Sequence, residues 1–386
     1  MVAHYQDYHA GNRALSVGEK MARIHWPVIG VLCLIAGIGF VSLYSVADGS
    51  LSPWGDRQIV RFLLGLGLIL AVAVIPRNFW LAVAYPAYIL ALVALALVLV
   101  IGTEAGGARR WIDVAGMTFQ PSEVMKVALV LALARYYQWL PERWVSHPGG
   151  LIIPVLMIGL PMSLTLLQPD LGTAVLFGFV GLALMFLAGV HAAYFIAGGL
   201  ASVAMVPLLW EQLHDYQRRR IEVFLNPESD PLGAGYHITQ SKIALGSGGI
   251  SGKGFMKGTQ GKLNFLPEKH TDFIFTTLGE EWGFIGAVLL LGLFAVLIAL
   301  LVIMSLRCAS QFARLTIAGS AVMIFVYVFI NIAMVTGLLP VVGVPLPLVS
   351  YGGTAMLTVM FAIGLAMCTY VHRGRWFLHG ELGAFW

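Results

Sequence analysis

From Phe273 to Met304 the chain reads FIFTTLGEEWGFIGAVLLLGLFAVLIALLVIM, and after Glu281 no charged side chain appears until Arg307. A helix needs roughly 20 mostly apolar residues to cross the ~30 Å hydrocarbon core of a bilayer. This run exceeds one crossing, so it is either tilted or extends past the membrane. Nine further runs of the same kind occur at about 26–46, 59–75, 79–101, 121–139, 148–167, 172–189, 191–210, 312–336 and 350–371. Ten spans are therefore predicted.

The composition agrees. Of 386 residues, 23 are Lys or Arg and 19 are Asp or Glu, and 59% are hydrophobic. Charge at 11%, against roughly 25% in ordinary soluble domains, cannot cover a water-facing surface. Mean hydropathy is +0.85, which also excludes disordered, collagenous and coiled-coil chains. Cys33, Cys308 and Cys368 support no disulfide framework or cysteine metal motif. A net charge of +4, scattered along the chain, does not point to nucleic acid. The expected fold class is an all-α polytopic membrane protein of about ten transmembrane helices, with a large extracytoplasmic loop between spans 7 and 8.

Orientation follows from Lys and Arg in the short loops. A cytoplasmic N-terminus puts Arg13, Lys20, Arg23, Arg77, Arg135, Arg143, Arg307, Arg314, Arg373 and Arg375 inside, and only Arg57, Arg61, Arg109 and Arg110 in short outside segments. Both termini are thus expected in the cytoplasm. The first run follows Lys20 and Arg23 but is long and lacks an A-x-A site, so it reads as an uncleaved helix. The predicted organisation is a cytoplasmic segment 1–25, a transmembrane domain 26–372 containing the loop 211–271, and a cytoplasmic tail 373–386.

Between Glu211 and Glu281 the chain carries 17 charged residues in 71 positions, a soluble-protein density. Long loops in compact folds are usually functional. With this orientation four spans that enter from the outer face are headed by polar motifs: Gln120-Pro121-Ser122-Glu123, Gln168-Pro169-Asp170-Leu171-Gly172-Thr173, His270-Thr271-Asp272 and Val349-Ser350-Tyr351-Gly352-Gly353. Proline at the first helical position and a carboxylate in the first turn are ordinary helix-start chemistry. Four such ends on one side of a membrane are not, because helix N-termini attract anions. Their convergence would suit a polyanionic headgroup.

Individual residues carry two readings each. Glu123 and Lys126 share a helix face inside an apolar run, as a structural pair or as a functional one. Asp272, with Thr271 as its candidate N-cap, is a helix-start carboxylate or a general base; the helix terminus lowers its pKa and burial raises it. On a straight helix Glu280 lies about 80° from Asp272 and Glu281 on the opposite side, so Glu280 would face a cavity and Glu281 another span. Arg218-Arg219-Arg220 and Arg109-Arg110 read as interfacial anchors or phosphate ligands. The glycines between Gly246 and Gly261, interleaved with Lys253 and Lys257, read as a phosphate nest or a flexible loop. The stretch from Pro340 to Pro347 cannot be regular helix, and such backbone is tolerated at membrane depth only when buried or lining a cavity. His214, His237 and His270 lack metal-ligand spacing.

Taken together, Arg110-Trp111-Ile112, Gln120-Pro121-Ser122-Glu123 with Lys126, Gln168 to Thr173, Asp230-Pro231-Leu232-Gly233-Ala234-Gly235-Tyr236, Phe265 to Phe275 and Pro345 to Gly353 resemble the SEDS family of shape, elongation, division and sporulation proteins. The resemblance runs from about residue 25 to 372. His214 to Arg218, Asn226 to Asp230 and Lys257 to Gln260 are closer to its elongation branch than to its division branch. Asn226 and Lys269 depart conservatively from the family's aspartate and arginine. The resemblance implies a peptidoglycan glycosyltransferase that polymerises lipid II at the outer face of the cell inner membrane during elongation and rod-shape maintenance. Partners implied are a class B penicillin-binding protein and the MreB-associated elongation complex. Asp272 matches the family's essential carboxylate and is expected to be the catalytic base. Glu123, Lys126, Arg109, Arg110, Arg218, Lys269, His270 and Ser350 are the expected substrate-binding residues, and a divalent cation, Mg or Mn, the one cofactor the chemistry would admit. A lipid II flippase, a division-type polymerase and a scaffold for the penicillin-binding protein are the competing readings.

Overall fold

The computed structural model describes residues 15–105, 108–114, 117–212, 218, 222–226, 230, 233–259 and 269–373. A short α1 (Val17–Ala22), opened by a capping box between Ser16 and Glu19, leads into α2 (Trp26–Val46), α3 (Gly55–Val74) and α4 (Arg77–Ile101). After an extended segment come α5 (Pro121–Trp139), α6 (Glu142–Val145), α7 (Pro148–Leu167), α8 (Leu171–Leu187) and α9 (Ala192–Gln212). Helix α10 (Ala234–Ser247) lies within the predicted loop, followed by α11 (Ile274–Leu306), α12 (Gln311–Val335) and α13 (Gly353–Val371).

A helix stands at each of the ten predicted spans. Among the described residues α2, α3, α4, α7, α11, α12 and α13, seven in all, are long and apolar enough to cross a membrane. The other three fall short for physical reasons. Helix α8 has 17 residues and the apolar part of α9 runs over Ala192–Met205. Helix α5 is interrupted by Glu123, Lys126 and Arg135. It can carry them because it is interior: nearly every residue from Pro121 to Ala134 is buried. Helices α12 and α13 are likewise central, with 72% and 78% of their apolar windows buried, whereas α4 and α11 bury 28% and leave the rest to lipid. This is a multi-pass all-α membrane protein.

One small sheet departs from the all-α expectation. Strands β1 (Thr103–Ala105), β2 (Ala108–Val114) and β3 (Met117–Phe119) form an antiparallel set in that order. Ile112 pairs with Phe119 and Val114 with Met117. The segment is too short and too polar to register as a span, yet Trp111, Ile112 and Val114 are good strand formers and glycines at 106, 107 and 116 punctuate it.

The run from 273 to 304 is neither one tilted span nor a simple overhang. Gly283 breaks the helix with φ 66° and ψ −160°. Residues Ile274 to Glu281 before it are all buried, and lipid-facing residues such as Phe284 and Ile285 begin after it. The glycine-rich segment docks onto this break. Phe284 N–H donates to Gly249 C=O at 2.9 Å, Lys253 N–H to Glu280 C=O at 3.0 Å and Gly254 N–H to Glu281 C=O at 3.0 Å. A Cβ on Gly252 would sit 2.1 Å from the Glu281 carbonyl oxygen, so the contact is backbone on backbone and needs glycine.

Candidate active site

Three helix N-termini and the residues just before a fourth helix open into a single cavity of about 660 Å³. Gln120, Glu123 and Lys126 enter from α5, Asp170 and Thr173 from α8, Thr271 and Asp272 from the approach to α11, and Gly352 to Ala355 from α13. Arg110 and Trp111 of β2 join them, which is what the small sheet contributes. The volume is that of a small-molecule pocket.

Lys126 and Glu123 make a closed charge unit on the cavity wall. Lys126 Nζ donates to Glu123 Oε1 at 2.7 Å, and Tyr327 OH of α12 donates to Glu123 Oε2 at 2.9 Å. Lys126 also hydrogen-bonds Tyr327 OH and lies 4.7 Å from the centre of its ring. All three side chains are buried. In a low-dielectric interior this arrangement gives each group an opposite partner. Asp170 caps α8, accepting Thr173 N–H at 3.2 Å and Thr173 Oγ1–H at 2.9 Å. Its Oδ2 is 3.9 Å from Arg110 Nε, and Arg110 also donates to Pro169 C=O.

Asp272 is held through its backbone. Asn331 Nδ2 of α12 donates to Asp272 C=O at 2.9 Å and to Val344 C=O at 2.8 Å, so one side-chain amide ties the aspartate to the irregular 340–352 segment. Ser350 completes the clamp: its hydroxyl donates to Thr271 C=O at 2.6 Å and accepts Leu346 N–H at 2.8 Å. Tyr351 N–H reaches His270 C=O at 2.9 Å. These bonds satisfy backbone that no helix serves. They also hold Leu348 at φ 65°, a left-handed conformation costly for a bulky residue. Gly343, at φ 72°, brings its α-carbon so close that a Cβ would lie 3.4 Å from Asp272 Oδ2.

Two expectations, the Thr271 cap and the cavity placement of Glu280, need correction, and the expected binding residues fall in different places. Thr271 is not an N-cap: α11 starts at Ile274 behind Phe273, which makes no side-chain cap bond. Ser350 is buried behind the cavity and acts on backbone. Lys269 is buried, and His270 stacks on Trp54 with ring centres 4.5 Å apart. Neither is among the cavity-lining residues. Arg218, half-buried, does not line it either. The Arg109 side chain, Arg219 and Arg220 lie outside what the structure describes. Glu280 does not face the cavity. It accepts Lys253 Nζ at 2.6 Å and Thr259 N–H at 2.8 Å, which makes it the anchor of the glycine-rich segment. Glu281 does meet another span, as its helix face implied, through Ser45 of α2.

The cavity also holds residues that motif reading did not single out: Arg61, Tyr327 and, as a site residue, Asp170. Asp170 is visible as a motif carboxylate, Arg61 only as a cation of a short outside segment, and Tyr327 only as a polar group in an apolar run. Among the described residues no three His, Cys, Asp or Glu side chains are grouped to hold a metal. Glu123 and Asp170 are already engaged, so the cavity does not fit a protein-held divalent cation. Burial pushes the Cys308 thiol up to about 11, which removes it as a nucleophile at neutral pH.

Residues 21–374 match the sequence family of FtsW, RodA and SpoVE, described as cell cycle proteins. The chain is 44% identical over 355 residues to "Peptidoglycan glycosyltransferase MrdB" of Escherichia coli (strain K12), covering 91% of this chain and 95% of that protein. It is 37% identical over 360 residues to "Probable peptidoglycan glycosyltransferase FtsW" of Trichlorobacter lovleyi, covering 90% and 93%. Among solved structures it resembles a chain of a peptidoglycan synthase complex described as coordinating polymerization and crosslinking, with TM-score 0.80, 34% identity and 91% and 98% of the two chains covered. It also resembles the rod shape determining protein RodA of Thermus thermophilus, with TM-score 0.68, 31% identity and 92% and 98% covered. The motif resemblance and the full-length matches agree, and the chain belongs to the FtsW/RodA/SpoVE family of SEDS proteins.

Proposed function

We propose that the chain is a peptidoglycan glycosyltransferase that polymerises lipid II into glycan strands at the outer face of the cell inner membrane, during cell elongation. The observation that carries this reading is the cavity itself: Asp272, two guanidinium groups, the Lys126–Glu123–Tyr327 unit and three helix N-termini open into one space. Such a site suits a sugar joined to a lipid diphosphate.

The donor sugar is α-linked and the product bond is β-1,4, so one displacement inverts the anomeric carbon. Asp272 takes the proton of the acceptor 4-hydroxyl as that oxygen attacks, and the diphosphate leaves with the bonding pair. No covalent sugar intermediate is needed. Arg110 and Lys126 offset the charge that grows on the leaving group. Asn331 and the 340–352 segment keep Asp272 at the cavity wall. Magnesium or manganese would have to arrive on the phosphates themselves, and no step here depends on it. The higher identity to MrdB than to FtsW supports the elongation branch, and the synthase-complex likeness supports a class B penicillin-binding protein as partner, within an MreB-associated complex. The excess of Lys and Arg in short loops on one side supports cytoplasmic termini and a periplasmic cavity.

The test is glycan synthesis from purified lipid II in detergent, by the chain with its transpeptidase partner. Wild type should make glycan, and Asp272→Asn should lose about 10²- to 10⁴-fold, the usual value of a general base. Glycan made by Asp272→Asn at the wild-type rate would remove the aspartate from the mechanism. A wild type that carries lipid II across vesicles but never polymerises it is a flippase, a reading that one-sided placement of the cavity groups disfavours. The same assay without the partner tests the scaffold reading: a chain that makes no glycan from lipid II either alone or with its partner, and still binds that partner, is a scaffold.

A further inference from the structure

The cavity's charges pair off unevenly. Lys126 is matched by Glu123 at 2.7 Å, and Arg110 Nε faces Asp170 at 3.9 Å. Arg61, in the second turn of α3, lies 5.0 Å from the centre of the Tyr351 ring, and among the described residues no carboxylate stands in ion-pair range of it. Its Nη1 is buried with no hydrogen-bond acceptor. An uncompensated guanidinium at membrane depth is costly unless something else brings the counter-charge. The fold makes room for it: Gly353 opens α13 beside Arg61, and a Cβ there would fall 2.7 Å from Arg61 Nε.

We propose that Arg61 is a substrate-binding residue that grips a phosphate of the lipid diphosphate, together with the N-terminus of α13. This deepens the glycosyltransferase reading and rests on it. Depth selects the diphosphate over the carboxylates of the peptide stem. Arg61 lies about 9 Å along α3 from Gly55 at 1.5 Å per residue, inside the span. The diphosphate adjoins the polyprenyl tail and is the deepest polar part of the substrate, whereas the peptide points outward. The guanidinium offers several N–H donors in a plane, and the first amides of α13 offer more. Tyr351 fixes the plane from one face, leaving the buried Nη1 as the donor that a phosphate oxygen would satisfy.

The experiment uses the full chain with its partner, lipid II as substrate and undecaprenyl diphosphate as competitor, with undecaprenyl monophosphate alongside. Arg61→Gln should raise KM for lipid II and the inhibition constant of the diphosphate by about tenfold or more, as loss of a hydrogen bond to a charged group does. The monophosphate should be affected less and kcat less than KM. Arg61→Lys should recover part of the loss. An unchanged diphosphate inhibition constant in Arg61→Gln overturns the proposal. So does a KM effect that vanishes with a lipid-linked disaccharide lacking the peptide, which would assign Arg61 to the stem. Should Arg61→Gln fail to fold, Arg61→Lys serves alone: a several-fold rise supports the proposal and no rise ends it. Thermal stabilisation of the purified chain by undecaprenyl diphosphate reads Arg61 without catalysis. Loss of that shift in Arg61→Gln, beside a wild type that makes no glycan, would keep the site and sink the enzyme.

Discussion

Residues 246–258 and 340–353 are both irregular and both rich in turn-forming residues, yet they serve different ends of the molecule. The first resembles a phosphate cradle, with lysines among its glycines. It packs away from the cavity, against the break at Gly283: the Lys253 and Gly254 amides donate to carbonyls of α11, and those of Gly252 and Lys257 to carbonyls of the segment itself. The second is apolar and proline-rich, and it supplies Gly343, Val344 and Pro345 to the cavity wall beside Asp272. Backbone N–H groups bind a ligand only if the fold leaves them unspent. In one segment glycine allows backbone to approach backbone; in the other it allows backbone to approach the Asp272 carboxylate.

The largest effect should come from the aspartate that the second segment presents. Asp272→Asn is expected to lose about 10²- to 10⁴-fold in polymerisation per folded molecule, and the bond from Asn331 to its backbone carbonyl is kept in the variant. Next is Gly252→Ala. Its Cβ would overlap the Glu281 carbonyl at 2.1 Å, and its φ is 77°. Left-handed strain and overpacking together should cost about 2 kcal/mol or more. Turnover per folded molecule should hardly change. A comparable loss of turnover without loss of stability would place the glycine-rich segment at the chemistry after all.

Gly343→Ala sharpens the contrast from the other side. The φ of 72° should cost about 1–2 kcal/mol, and the new methyl would stand 3.4 Å from Asp272 Oδ2, in ordinary contact. Stability should fall less than in Gly252→Ala, yet polymerisation per folded molecule should fall several-fold. Denaturation and initial rates on the same preparations separate the two. If both glycine variants lose only stability, the 340–353 segment is a scaffold and not a guide for Asp272.

Hydropathy made the spans legible, because a bilayer demands length and apolarity from the residues themselves. The four polar helix heads were legible as motifs, and they converge since all four open spans from the same side. Other features depend on tertiary packing. Tyr327 is one hydroxyl in an apolar helix, and it matters only because α12 lies against α5. Arg61 was counted among loop cations, and its exposure to the cavity depends on α13 packing on α3. Ser350 looked like a ligand-binding hydroxyl, but its partners, Thr271 C=O and Leu346 N–H, are backbone groups that no residue pattern reveals. Helical phase could turn Glu280 away from Asp272, but it could not supply Lys253, which arrives from 27 residues upstream.

That last pair gives the smallest expected effect. The Lys253 side chain is 27% exposed while Glu280 is almost fully buried, so solvent screens one end of the ion pair and the Coulomb gain is modest. In Lys253→Gln the carboxylate keeps the Thr259 N–H at 2.8 Å and the Thr259 hydroxyl at 3.0 Å. Stability should therefore drop by less than about 1 kcal/mol, and polymerisation should be unchanged. Thr259→Val in the same background removes the hydroxyl and should cost more than in wild type, since the two donors share one oxygen. Independent, additive losses would mean that Glu280 is held by its helix and not by the loop. The glycine-rich segment would then be anchored by its backbone contacts to the Gly283 break alone.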